Sequence, residues 1–208
     1  MKRARWALVS VVAVSLVAHA EDAWKQVKRE SDGLVLTSRG VKDTAFPELR
    51  VTMHTDASAE RLQQAVWDRR PDTVEGRMIE KSVTLFDESG DRLLYIRLKP
   101  PVIGRRDYTI RYRALADEGT GVRRVWFRLE NESGPPPRDG VTRLRVVRGE
   151  WVFTPDPNGG TSVSYTCVSD PAGDVPVWMA TGEQENVAVE MVREVVQRAS
   201  EHKPVSAI

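Results

Sequence analysis

The residues best suited to chemistry gather in one stretch, Gly104-Arg105-Arg106-Asp107-Tyr108-Thr109-Ile110-Arg111-Tyr112-Arg113-Ala114. It opens with an Arg-Asp pair, Arg106 and Asp107, that can form a strand-end ion pair fixing a loop or gating an entrance. Two tyrosines follow, Tyr108 and Tyr112, and the Tyr112 phenol can hold a ligand hydroxyl from an otherwise apolar face. From Tyr108 onward the stretch alternates. Tyr108, Ile110, Tyr112 and Ala114 share one face of a strand, and Thr109, Arg111 and Arg113 share the other.

Other chemistries lack their residues. The sequence has no Gly-x-Ser-x-Gly, no His-Glu-x-x-His, no glycine-rich phosphate loop and no Cys-x-x-Cys. Its single cysteine, Cys167, has no partner for a disulfide and lies in an alternating run, as a small apolar core residue would. Beyond the first twenty residues the histidines are His54 and His202, without metal-ligand spacing. No metal site and no cofactor are expected.

The elements that position the central stretch read as follows. A short opening element from Trp24 to Glu30 and a strand from Leu34 to Val41 flank a turn at Ser31-Asp32-Gly33. Phe46 to His54 is a strand with Leu49, Val51 and Met53 on one face. A helix follows, capped by Asp56 or Ser58, with Leu62, Ala65 and Val66 as its buried stripe. Thr73 to Ile79 is a poorly patterned connection. Strands are expected at Lys81–Phe86, Arg92–Lys99, the central stretch, Val122–Glu130, Val141–Thr154 with a break near Gly149, and Thr161–Ser169. A long polar loop with Pro135-Pro136-Pro137 runs from Asn131 to Gly140. The chain ends in an amphipathic helix carrying Ala188, Met191, Val192, Val195 and Ala199 on one side, with Thr181 and Gln184 spaced as a capping box. The resulting class is α+β: a curved antiparallel sheet wrapped around a long C-terminal helix.

The sheet is expected to have one apolar and one cationic face. Between Arg92 and Arg148 there are fourteen basic and six acidic residues. Parity puts Arg111, Arg113, Arg124, Arg128, Arg143 and Arg145 on the outer face. They are candidates for docking on an anionic membrane, at about 1 kcal/mol per basic residue, or else for a solvated face paired with its acids.

The N-terminus reads as a leader. Met1 to Arg5 is basic, Trp6 to Val17 is apolar apart from two serines, and Ala18-His19-Ala20 is a small-x-small cleavage site. The apolar run is shorter than the about 20 residues needed to span a bilayer. Cleavage after Ala20 and export to the periplasm are expected, leaving residues 21–208 as one domain. Removing Lys2, Arg3 and Arg5 makes the remainder slightly acidic, so a nucleic-acid partner is not indicated.

Several pieces in register resemble a START domain, the steroidogenic acute regulatory-related lipid transfer family. They are Trp24 with Asp32-Gly33-Leu34-Val35-Leu36, Glu48-Leu49-Arg50, Asp56-Ala57-Ser58 before the first helix, Gly104 to Tyr108, Gly149-Glu150-Trp151 with Pro155, and Asp170-Pro171-Ala172-Gly173 followed by Val175-Pro176-Val177-Trp178. The resemblance covers roughly Ala23 to Lys203. It implies a helix-grip fold whose sheet and last helix enclose a tunnel for one lipid or sterol, gated by loops or by that helix, in a monomer without cofactor or catalytic residues. Cyclase- or hydrolase-like chemistry in the same pocket, or a solid module acting through its basic face, are the alternatives.

Taken with the alternation, the resemblance places Tyr108, Ile110, Tyr112, Phe127, Leu129, Leu144, Val163, Tyr165, Met179, Met191, Val192 and Val195 around the cavity, with Arg106 and Asp107 as a gate or structural pair. In family members that grip a charged head group, an arginine often stands at the seventh position counted from Arg106. Here that residue is Tyr112, while Leu93-Leu94-Tyr95 occupy the place of an acidic partner. The expected ligand therefore carries a hydroxyl or less, held by the Tyr112 phenol.

Overall fold

The computed structural model describes residues 23–69 and 78–201. The leader, most of the Thr73–Ile79 connection, His202 and the closing Lys203-Pro204 lie outside them. The chain forms β1 (Lys25–Arg29), β2 (Val35–Val41), β3 (Thr44–Thr55), α1 (Ala59–Trp67), β4 (Ile79–Glu88), β5 (Asp91–Leu98), β6 (Arg106–Ala116), β7 (Arg123–Leu129), β8 (Thr142–Arg143), β9 (Val146–Pro155), β10 (Thr161–Asp170) and α2 (Val177–Glu201). The strands join in one sheet of order β1-β2-β3-β10-β9-β7-β6-β5-β4, with β8 beside β6. Neighbours along this path are antiparallel, while β8 pairs with β6 in parallel. The sheet curves over α2, which packs on α1, β3 and β10. This is the expected α+β helix-grip arrangement.

Local chemistry explains the element ends. Ser58 caps α1, its hydroxyl accepting from the Arg61 amide at 3.3 Å. Of the expected stripe, Leu62 and Val66 are buried and Ala65 is half-buried. Gly90 closes the β4–β5 hairpin at φ 87, in the left-handed region that suits glycine.

Three sequence expectations need correction. Thr181 and Gln184 do not form a capping box, because α2 begins at Val177, directly after Pro176. Thr181 instead donates back to the Val177 carbonyl, and Gln184 donates to the Ser169 carbonyl. The strand expected from Val141 to Thr154 breaks at Leu144-Arg145 rather than near Gly149. Gly149 stays in register, opposite Phe127 and Cys167, because a Cβ there would stand 2.1 Å from the Thr166 carbonyl and 2.5 Å from the Phe127 ring.

The third correction concerns the wet face of β5 and β6. Tyr95, Asp107 and Thr109 have outward parity yet are fully buried. The Asn131–Gly140 loop covers them. The Asn131 carboxamide accepts from the Thr109 amide and donates to the Leu144 carbonyl, each at 2.9 Å. Gly134 lies so close to Thr109 that a Cβ would come within 1.8 Å of its hydroxyl oxygen. β6 is thus sheltered on both faces through its first half and exposed only toward its end.

Candidate ligand cavity

The inner faces of the sheet and of α2 do not meet everywhere. A cavity of about 790 Å³ separates them, within the range of small-molecule sites. Period-two alternation puts Tyr108, Ile110 and Tyr112 of β6 on its wall, with Phe127 of β7, Trp151 of β9 and Tyr165 of β10 beside them. The aromatic rings run as a ladder across the strands. Centroid distances are 5.6 Å for Tyr112–Phe127, 6.0 Å for Phe127–Tyr165 and 4.3 Å for Trp151–Tyr165. Gly149 is the space into which the Phe127 ring leans. The opposite wall is α2 from Met179 to Met191, and the mouth is framed by Pro100 to Ile103, Val175 and Met179.

Of the positions expected around the cavity, Tyr108, Ile110, Tyr112, Phe127, Leu144, Tyr165, Met179 and Met191 line it. Leu129, Val163, Val192 and Val195 do not; they pack into or against the solid core with Leu34, Leu62 and Phe153. The reason is helical and strand position rather than face. α2 borders the void only as far as Met191, and further along it closes onto α1 and β3. Sequence reasoning missed Trp151, Cys167, Leu94 and Leu49, whose inward parity was a usable signal. It also missed the wall cations Arg69 and Arg92, which no apolar pattern would flag, and it placed Arg106 in a pair with Asp107 rather than on the wall.

Arg106 and Asp107 do not pair with one another. Adjacent strand residues point to opposite faces, and these two follow the rule. Asp107, outward and buried, accepts two bonds from the Arg143 guanidinium, at 2.9 and 2.8 Å, and one from the Tyr95 phenol at 3.0 Å. Burial, and then this bond to Asp107, push the Tyr95 phenol above its usual pKa. Arg143 also donates to the Pro135 carbonyl, which ties the covering loop to the strand. Arg106 faces the cavity wall and donates to three carbonyls, those of Gly104, Pro171 and Ala172, at 3.1, 3.2 and 3.3 Å. It therefore joins the β5–β6 loop to the β10–α2 loop. Ala172 sits at φ 56, a left-handed conformation that is costly for a residue with a Cβ.

The outer arginines are mostly spoken for. Arg111 bridges Glu130 and Asp91, Arg113 binds Asp91, and Arg124 binds Glu150. The Arg111 hydrogen bonds hold Glu130 down to a pKa of about 2. Arg128 and Arg113 lie over the Trp126 ring, at 5.2 and 5.5 Å. Arg143 is a correction: it turns onto buried Asp107 and is not on the open face. Arg145 is exposed, but in the bend between β8 and β9 rather than in a strand row.

Comparison with known proteins agrees with this architecture. An uncharacterized protein of Pseudomonas aeruginosa is 25% identical over 173 residues, 82% of this chain and 83% of that protein. Among solved structures, a STAR-related lipid transfer protein fragment from Xanthomonas axonopodis superposes with a TM-score of 0.72 at 19% identity, covering 86% of this chain and all of that one. The Zhui aromatase/cyclase from Streptomyces sp. R1128 shares the fold more loosely, with a TM-score of 0.50 at 17% identity over 77% of this chain and 98% of that one. At these identities the structural likenesses speak for the fold alone. The profile of the START domain matches residues 10–204, nearly the whole sequence, and with the sheet, the terminal helix and the void between them it places this chain in the START domain family.

Proposed function

We propose that this chain binds one lipid or sterol-like molecule in the cavity and carries or presents it in the periplasm. The observation that supports this most is the void itself, about 790 Å³ and walled largely by apolar and aromatic side chains. Burying about ten methylenes there removes roughly 8 kcal/mol of hydration penalty, at about 0.8 each. The family's lipid-transfer members support the ligand class, and the leader read from residues 1–20 supports export.

Loading and release need the mouth to open against something apolar. Val102, in the β5–β6 loop, and Trp178, in the first turn of α2, flank it and are each 77% exposed. Contact with a bilayer would cover both while the loop and the helix end move apart. Membrane docking is assigned to this apolar rim rather than to the arginine rows, whose guanidiniums are largely engaged within the chain. A cyclase-like use of the cavity has less support. Asp107, the buried carboxylate among the described residues, lies on the other face of β6, and the carboxylates that line the cavity, Glu183 and Glu190, are exposed. A transfer assay between donor and acceptor vesicles tests the proposal. The wild type should accelerate movement of a labelled lipid, and Val102→Ser/Trp178→Ser should slow it without loss of fold. Transfer at the protein-free rate would overturn the carrier reading.

A further inference from the structure

Three arginines border the cavity, and they differ in what neutralises them. Arg92 pairs with Asp87 and lies over the Trp67 ring. Arg69 pairs with Glu194. Arg106 has no carboxylate partner among the described residues: its three acceptors are backbone carbonyls. Yet it is 5% exposed, the most buried cation of the three. Burial alone pushes its guanidinium below the usual value, with no acid nearby to raise it. A buried charge without a counter-ion is costly, and neutral carbonyls recover only part of that cost.

The surroundings are polar in the same corner. A guanidinium has five N–H groups; each Arg106 nitrogen makes one of these bonds, and two N–H groups are left without an acceptor among the described residues. Ser169, two residues before the carbonyl of Pro171, also lines the cavity, as does Gln184, whose amide is anchored on the Ser169 carbonyl. The rest of the β6 wall, from Tyr108 to Ile110, is aromatic or apolar. Tyr112 stands about 20 Å further along the strand, six residues at roughly 3.3 Å each.

From this we infer that the ligand has an anionic head group, a carboxylate or a phosphate, seated on Arg106 and Ser169, with its tail running along β6 toward Tyr112. The inference rests on the lipid-cavity reading and narrows it to acidic lipids. The anion supplies the counter-charge the site lacks, while the hydroxyl and the two N–H groups supply donors. It also gives Arg106 a second task. Because the same side chain holds the β5–β6 and β10–α2 loops together, an anion at this corner is sensed by both flanks of the mouth.

The test uses the delipidated chain and three probes of one tail length: hexadecanoate, hexadecyl phosphate and hexadecanol. Competition by native mass spectrometry should show at least one anion bound roughly tenfold or more tighter than the alcohol, as expected for a charge-assisted contact. The arm that wins separates a carboxylate from a phosphate ligand. Arg106→Gln should abolish the preference, so that on this variant the anions bind no tighter than the alcohol measured beside them. Should that variant not fold, the hexadecanoate preference of the wild type, which must vanish once the acid is protonated at low pH, decides the matter. Equal binding of all three probes overturns the anionic site but leaves the cavity reading intact. Binding of none removes the cavity reading, and this inference with it.

Discussion

The two halves of α2 live in different surroundings. Toward its C-terminus Val192, Val195 and Ala199 close onto a packed core with Leu34, Leu62 and Phe153, all essentially inaccessible. Toward its N-terminus Met179, Val187 and Met191 look across open space at an aromatic wall. One helix and one continuous sheet thus make a solid end and a hollow end. A sheet that gives up packing on one face must be held from the other. At the hollow end that support is the covering loop, fastened through Asp107, Arg143, Tyr95 and Asn131. The lesson is that stability at the hollow end comes from outside the wall, which leaves the wall free for a ligand.

The largest effect expected is therefore on the brace rather than on the cavity. Asp107→Ala strands the Arg143 guanidinium and should cost about 3–5 kcal/mol. Urea unfolding measures it, and a double-mutant cycle with Arg143→Met should recover part of the loss. A cost near zero would mean that the loop is not what supports β6. Next comes a direct comparison of the two ends. Leu62→Ala, in the solid core, should cost about 4 kcal/mol, and Met191→Ala, buried but beside the void, about 2. Equal penalties would erase the distinction.

A smaller stability change with a large functional one is expected on filling the hollow. Ala188→Phe projects a ring into the cavity from α2 and should alter stability by about 1 kcal/mol or less while abolishing lipid binding. Loss of fold in the ligand-free variant would show that side chains already fill the space. The smallest effect is electrostatic and on the outer face. Arg111 hydrogen bonds hold Glu130 at about 2 in the fold, against an ordinary value of 4.5. Its contribution is complete above about pH 4.5 and is lost as pH falls toward 2, because the unfolded chain then binds the proton first. Glu130→Gln should flatten that part of the acid-unfolding curve by about 1 kcal/mol, and an unchanged curve would discount the pair.

Much of this was legible in the sequence, for reasons that particular residues make plain. Alternation from Tyr108 to Ala114 fixed which side chains face inward, and the helical spacing of Ala188, Met191, Val192 and Val195 did the same for α2. Neither pattern reports the distance across the gap. Met191 borders the void and Val192, its neighbour in the same stripe, does not. A hollow is a property of two surfaces together, so periodicity along one of them is silent. The covering loop was also hidden. Asn131 to Gly140 is polar and rich in proline and glycine, which reads as solvent-exposed, yet Gly134 fits against Thr109 because it lacks a side chain. That concealment made Arg106 and Asp107 look like partners when the strand turns them apart.

The central claim is that the hollow end exists to hold one apolar molecule. Native mass spectrometry of the protein purified from its own host, followed by solvent extraction, tests this most directly. The account predicts a single adduct of lipid mass per chain, lost in Ala188→Phe and identifiable in the extract. Chain mass alone in the wild type, unchanged after incubation with a total lipid extract, would contradict it.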